Sequence, residues 1–175
     1  MESEILIQNK AEVRRASLED VPGIVELIER YRFKPDGSGF LLPVNKEGIE
    51  TLVASESFFV AHDTRRVVGC SSIVEYGNEE FEEIAELRSL VVDNEYRGQG
   101  IGSLLVEECI DEAVKRAYSE LYALTQMETY NNLFKGLGFE LLDERPIQKL
   151  AEDCAKCPLH NNGCNEITIV YRFSR

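Results

Sequence analysis

Apolar positions along this chain alternate, cluster or recur at helical spacing, and the blocks they form can be read in order. Glu12 to Ala16 predicts a short first strand. Ser17, with Asp20 three residues on, reads as a helix N-cap, and Ile24, Leu27, Ile28 and Tyr31 form the inward stripe that follows. Lys34-Pro-Asp-Gly-Ser-Gly39 is a loop, followed by Phe40-Leu-Leu-Pro43 and a second short helix around Glu47 to Ala54. Phe58 to His62 and Val67 to Tyr76 flank the turn Asp63-Thr-Arg-Arg66 as a hairpin. Ile84 to Val92 is a central strand and Leu121 to Thr125 another. Thr129 to Leu137 predicts a short helix ending at Gly138, and Phe139 to Leu142 and Glu166 to Phe173 predict closing strands.

Between the central strand and the strand at Leu121 lies the most informative segment. Asp93-Asn94 break the strand, and Gly98, Gly100 and Gly102 remove side chains where the backbone must turn and lie against a ligand. A helix from about Ile101 then carries Leu104, Leu105, Cys109, Ala113 and Val114 as its apolar stripe. The first amides of such a helix have no intrahelical partner and sit at the positive end of its dipole, which suits phosphate or pyrophosphate. The spacing excludes two common phosphate binders. A P-loop needs Lys-Ser or Lys-Thr after the last glycine, where Ile101-Gly102-Ser103 stands. A dinucleotide fingerprint needs G-x-G-x-x-G, and Gly98-Gln-Gly-Ile-Gly102 is G-x-G-x-G.

Composition narrows the class of partner. The 175 residues are 43% hydrophobic, enough for a single domain spanning 1–175 with a real core, and no repeat or long linker divides them. Nineteen basic against 32 acidic residues give a net charge of −13, which argues against nucleic acid and anionic membrane as partners. No apolar run approaches a membrane span and the first residues lack the basic start of a signal peptide, so the expectation is a cytoplasmic protein. Five cysteines in such a chain read as thiols or metal ligands rather than disulfides.

Arg97-Gly-Gln-Gly-Ile-Gly102 resembles the Arg/Gln-x-x-Gly-x-Gly/Ala loop of the GNAT superfamily of N-acetyltransferases, and Leu133-Phe-Lys-Gly-Leu-Gly-Phe139 resembles that family's late helix end. The resemblance implies an α/β (α+β) fold, a mixed, mainly antiparallel sheet of about seven strands flanked by about four helices. It also implies acetyl-coenzyme A as acyl donor, held by Leu90, Val91, Val92, Arg97, Gly98, Gln99, Gly100, Ile101, Gly102 and Ser103. In many members a glutamate eleven positions before the loop's Arg/Gln deprotonates the amine, and Glu86 stands there. The strand's alternation places Glu86, Arg88, Leu90 and Val92 on one face. The usual tyrosine proton donor is replaced by Phe134, leaving Tyr130, one turn earlier, as a substitute or as a packed side chain with its hydroxyl at the surface.

Finer matches run through Gly39-Phe-Leu-Leu-Pro43, Val68-Val-Gly-Cys70, Ala85 to Val92, Ala123-Leu-Thr125, Pro146-x-x-Lys149, Asp153-Cys-Ala-Lys-Cys-Pro158 and Cys164-Asn-Glu166. These resemble the short, stand-alone N-acetylglutamate synthases, which open arginine biosynthesis. That resemblance implies a small-molecule amine acceptor with two carboxylates, L-glutamate, gripped by Arg88 and Lys149. It departs at Val44, where the subfamily usually has arginine, and around Gln126 to Leu133, which is about three residues longer. Acetylation of a polyamine or other amine, favoured by the acidic charge, and a non-catalytic acyl-CoA sensor are the alternatives. A homodimer stays open. Cys154, Cys157, His160 and Cys164 have ligand types suited to a structural zinc; the other reading is a loop with free thiols.

Overall fold

The computed structural model describes residues 11–32, 41, 45–76, 83–143, 148–157 and 164–174, with the backbone alone at 148–150. Its strands are β1 (Glu12–Arg15), β2 (Phe58–His62), β3 (Val67–Glu75), β4 (Ile84–Val92), β5 (Glu120–Thr125), β6 (Glu140–Leu142) and β7 (Ile167–Arg172). They form one sheet in the order β1-β2-β3-β4-β5-β7-β6. Among these pairs β4–β5 is parallel and the others are antiparallel, the mixed, mainly antiparallel α/β arrangement expected. The helices are α1 (Val21–Tyr31), α2 (Lys46–Ala54), α3 (Ile101–Lys115), α4 (Met127–Asn132) and α5 (Gln148–Lys156).

The described residues form five α-helices, where about four were expected. The fifth, α5, occupies part of the segment read as a cysteine-bearing loop. Two further boundaries also move. The Ser17–Asp20 signal caps a 3-10 turn at Leu18–Asp20, where the Asp20 carboxylate accepts from the Ser17 amide at 2.8 Å and from Arg14 through two bonds of 2.8 and 2.9 Å; α1 starts only at Val21. The single helix predicted over Thr129 to Leu137 is two pieces, because Leu133 leaves the helical region (φ −133°, ψ −69°) and Phe134–Leu137 tightens into a 3-10 turn closed by Gly138 at φ +95°.

α3 covers one face of the sheet, packing on Phe59, Ala61, Ile73, Ala85, Leu87 and Ile169, and α1 and α2 cover the other over Phe58, Val60, Cys70 and Val91. The inward stripe of α3 is Ile101, Leu105, Val106, Cys109 and Ala113. Leu104 and Val114, assigned to that stripe from the sequence, are instead 43% and 58% exposed, since each stands beside the stripe and rotates toward solvent. Burial pushes the thiols of Cys70 and Cys109 up to about 12, so both are inert members of the core.

A β-bulge in β4 decides where the site lies. Cys70 faces Val91 and Ser72 faces Arg88, so Ser71 alone stands opposite two residues, Ser89 and Leu90. Ser89 takes a left-handed backbone, φ +56°. The extra residue flips everything beyond it. Leu90 and Val92 therefore join Leu87 and Ala85 in the α3-side core, not Glu86 and Arg88 as uniform alternation predicts. Two unlike surfaces thus meet at one strand.

Candidate active site

β4 and β5 pair only over Ile84–Leu87 and Glu120–Ala123, although β4 continues to Val92 and β5 to Thr125. Beyond the last paired residues the strands diverge and open a cleft of about 1630 Å³ between them. That exceeds the roughly 300–1,000 Å³ of a compact ligand pocket and suits a long ligand meeting a second one. One end is formed by the glycine loop and the start of α3, the other by Glu86, Arg88 and α5.

At the loop end, α3 begins behind Gly100, held at φ +82°, and no side chain caps the helix. The first helical bond runs from the Leu104 amide to the Gly100 carbonyl at 3.1 Å, leaving the amides of Ile101, Gly102 and Ser103 as donors for an anion. Gly98 is also left-handed, at φ +74°, and a Cβ at Gly98 or Gly100 would meet no atom within 4 Å, as expected of backbone lying open to a ligand. Arg97 donates Nε to the Val92 carbonyl at 3.0 Å and lays its guanidinium over the Tyr31 ring, 5.5 Å from the centroid. Leu90, Val91, Val92, Arg97, Gly98, Gly100, Ile101, Gly102 and Ser103 line this end. Gln99 does not: its side-chain amide turns back to the Glu95 carbonyl at 3.2 Å.

The entry to the loop is fixed by charge. Buried Asp93 accepts from Arg66 at 2.6 Å, Arg30 at 3.0 Å and the Glu95 amide at 3.1 Å. Burial works against the Asp93 charge, but the Arg66 bond and the other donors hold its pKa below the usual carboxylate range. The Tyr96 hydroxyl donates to Asp63 on the neighbouring hairpin. The loop is therefore held in place by groups on two other segments, α1 and the β2–β3 hairpin.

At the other end, the Glu86 side chain is only 3% exposed and accepts hydrogen bonds from the Tyr76 hydroxyl and Arg88 Nε. Burial pushes the pKa of Glu86 up, Arg88 and the Tyr76 hydroxyl pull it down, and the Asp153 carboxylate adds to the rise. Burial and the adjacent Glu86 charge also raise the pKa of Tyr76, so its hydroxyl stays a donor. Burial opposes the Arg88 charge, yet the Glu86 carboxylate facing it keeps the guanidinium above its ordinary pKa. Arg88 Nη2 reaches the Tyr76 oxygen at 2.9 Å and Asp153 Oδ2 at 3.1 Å, and the guanidinium lies 5.7 Å from the Tyr76 ring centroid.

Sequence reasoning therefore placed Glu86 and Arg88 together and missed Tyr76, Asp153 and Lys156, the last of which also lines the cleft from α5. Tyr76 was invisible because its distance from Glu86 depends on the β3–β4 register. Asp153 and Lys156 sit on α5, where the sequence predicted no helix. Tyr130 is half-buried against the α3-side core and does not line the cleft, whereas fully buried Phe134 does. Lys149 belongs to α5, but its side chain lies outside the described residues, as do His160 and the segments 33–40, 42–44, 77–82, 144–147 and 158–163. Among the described residues no group of three His, Cys, Asp or Glu side chains could hold a metal ion; Cys154 is buried, Cys157 half-buried and Cys164 exposed. No helix among them is long and apolar enough to cross a membrane.

Comparison with known proteins agrees with this fold. The profile described as Acetyltransferase (GNAT) domain matches residues 54–141. An uncharacterised N-acetyltransferase of Chlorobaculum tepidum is 33% identical over 160 residues, 90% of this chain and 94% of that protein. An amino-acid acetyltransferase of Shewanella oneidensis is 31% identical over 147 residues, 84% of this chain but only 31% of that protein, so the chain spans about a third of such relatives. N-acetylglutamate synthase from Neisseria gonorrhoeae, solved with coenzyme A and N-acetyl-glutamate, superposes with a TM-score of 0.72 at 24% identity, over 94% of this chain and 35% of that one. A Mycobacterium tuberculosis protein solved with CoA and NLQ gives 0.73 at 24%, over 93% and 99% of the respective chains.

Proposed function

The chain belongs to the GNAT acetyltransferase family, and from that premise we propose that it acetylates a small carboxylate-bearing amine, with L-glutamate the best-supported acceptor. Acetyl-coenzyme A supplies a thioester whose carbonyl the amine attacks. Its pyrophosphate fits the uncapped amides of Ile101, Gly102 and Ser103, with Arg97 as the nearby cation. The observation that carries the acceptor reading is the Arg88 guanidinium, exposed to the cleft and directly beside buried Glu86. A guanidinium suits a carboxylate, and names containing amino-acid acetyltransferase among the relatives support the same choice.

In this reading Glu86 takes the proton of the acceptor's ammonium, directly or through one water, and so frees the nitrogen lone pair for attack. A raised pKa suits a base that must accept and return protons near neutrality. Tyr76 and Arg88 fix the Glu86 carboxylate from one side. Lys156, one turn beyond Asp153 on α5, is a cation, among the described residues, for a second carboxylate. The departing thiolate takes its proton from water, since Phe134 and Tyr130 offer no hydroxyl to the cleft.

A second reading, acetylation of a cationic amine, is favoured by the acidic side chains along the cleft, Glu29, Glu86, Glu128, Asp153 and Glu166 against Arg88, Arg97 and Lys156. One measurement separates the two: release of free thiol from acetyl-coenzyme A with a panel of amino acids and polyamines. Turnover with L-glutamate and none with polyamines supports the first reading; the reverse replaces it with the second.

A further inference from the structure

We propose that Tyr31 is a positioning residue for acetyl-coenzyme A, its ring holding the Arg97 guanidinium in place for the pyrophosphate. This deepens the cofactor reading above and rests on it. Tyr31 is the last residue of α1; it is half-buried, packs against the α1-side core and also lines the cleft. The Arg97 guanidinium lies over its ring, 5.5 Å from the centroid, and its hydroxyl oxygen accepts from the Asn94 amide at 2.9 Å. Its neighbour Arg30 donates to Asp93 Oδ2 at 3.0 Å. The end of α1 therefore meets Asp93, Asn94 and Arg97, all in the segment that joins β4 to α3.

The three arginines around this turn have different tasks. Arg30 and Arg66 bond to buried Asp93 and do not line the cleft, whereas Arg97 does. Arg97 is exposed, and a long exposed side chain samples many rotamers, so a ligand that engages it must order it first. Two contacts order it beforehand: Nε donates to the Val92 carbonyl at 3.0 Å, and the Tyr31 ring supports the guanidinium plane. Neither contact takes a hydrogen bond from the two Nη nitrogens. A guanidinium fixed in this way presents them as a fork, the geometry that matches a pair of phosphate oxygens.

The test is isothermal titration of coenzyme A into the full chain. Tyr31→Leu removes the ring and should weaken binding about threefold to tenfold, the scale of an exposed cation–π contact together with the ordering of one long side chain. Tyr31→Phe keeps the ring and should bind within about twofold of the parent. In an Arg97→Ala background, Tyr31→Leu should change binding by no more than about twofold, because the group it positions is gone. Parent-like binding by the Leu variant, or an equal loss with and without Arg97, overturns the assignment. A Phe variant as weak as the Leu variant also overturns it, because the effect would then lie in the Asn94 contact. If the Leu variant fails to fold, Tyr31→Trp decides, since the chain has no tryptophan of its own. It should bind coenzyme A within about threefold of the parent, and its emission should change on binding, a change lost with Arg97→Ala at saturating coenzyme A. Emission indifferent to coenzyme A or to Arg97 overturns the proposal. Parent-like binding by Arg97→Ala alone overturns the placement of the pyrophosphate beside Arg97; weak binding by Arg97→Ala with normal binding by Tyr31→Leu removes only the role of Tyr31.

Discussion

The Tyr76 hydroxyl donates to the buried carboxylate of Glu86, ten residues on: Tyr76 directly follows β3, and Glu86 lies on its antiparallel neighbour β4. This bond stabilises the ionised form of Glu86 against the burial that raises its pKa. Removing it in Tyr76→Phe should raise the Glu86 pKa further. The acidic limb of kcat/KM should then move to higher pH, read from rates across the acid range, while affinity for acetyl-coenzyme A stays unchanged. An unmoved limb would mean that Glu86 does not govern it.

Glu86→Gln keeps the shape and removes the proposed base. Turnover at neutral pH should fall by about 10² to 10⁴ without loss of acetyl-coenzyme A affinity. Alkaline solution should narrow the gap, because it supplies neutral amine without help from the enzyme. Parent-like turnover at every pH would assign deprotonation elsewhere.

Arg88→Ala should raise KM for L-glutamate by a factor corresponding to about 1.5–3 kcal/mol and leave KM for acetyl-coenzyme A nearly unchanged. Because Arg88 also faces Glu86, kcat should fall as well, and the pH profile should shift upward as the carboxylate loses its guanidinium. A change in KM with an unchanged profile would separate substrate binding from the Glu86 contact.

The two loop glycines should respond differently. Gly100 stands at φ +82°, so Gly100→Val strains the backbone and should lower Tm as well as acetyl-coenzyme A affinity. A Cβ at helical Gly102 would meet Leu133 at an ordinary 3.6 Å, so Gly102→Val should fold nearly as stably as the parent yet bind acetyl-coenzyme A poorly. Normal binding by the folded Gly102 variant would mean that the phosphate loop lies elsewhere.

Acid should unfold the protein through Asp20 and Asp63. Burial opposes ionisation of both, but Arg14 and Ser17 hold Asp20, and Tyr96 with backbone amides holds Asp63, down from 3.8 to about 2. Their folded pKa values are depressed, so their stabilisation is present above the unfolded value and lost as pH falls through about 2. Calorimetric Tm should drop across that window, and Asp20→Asn should flatten the drop.

The sequence by itself determined the strand–glycine–helix unit and the order of most elements. These are local facts: glycine permits the left-handed turns at Gly98 and Gly100, and apolar spacing marks the strands and the buried side of α1. It also set Glu86 and Arg88 two residues apart on one face, because no bulge intervenes between them. Tertiary structure decided the rest. The bulge at Ser89 sent Leu90 and Val92 to the α3 side, since one inserted residue reverses every side chain after it and alternation alone cannot locate it. Pairing of β3 with β4 brought Tyr76 to Glu86, and docking of α5 brought Asp153 to Arg88 across 65 residues of chain. Those contacts arise from register and packing between distant segments, which hydrophobic periodicity, a property of neighbours along the chain, does not encode.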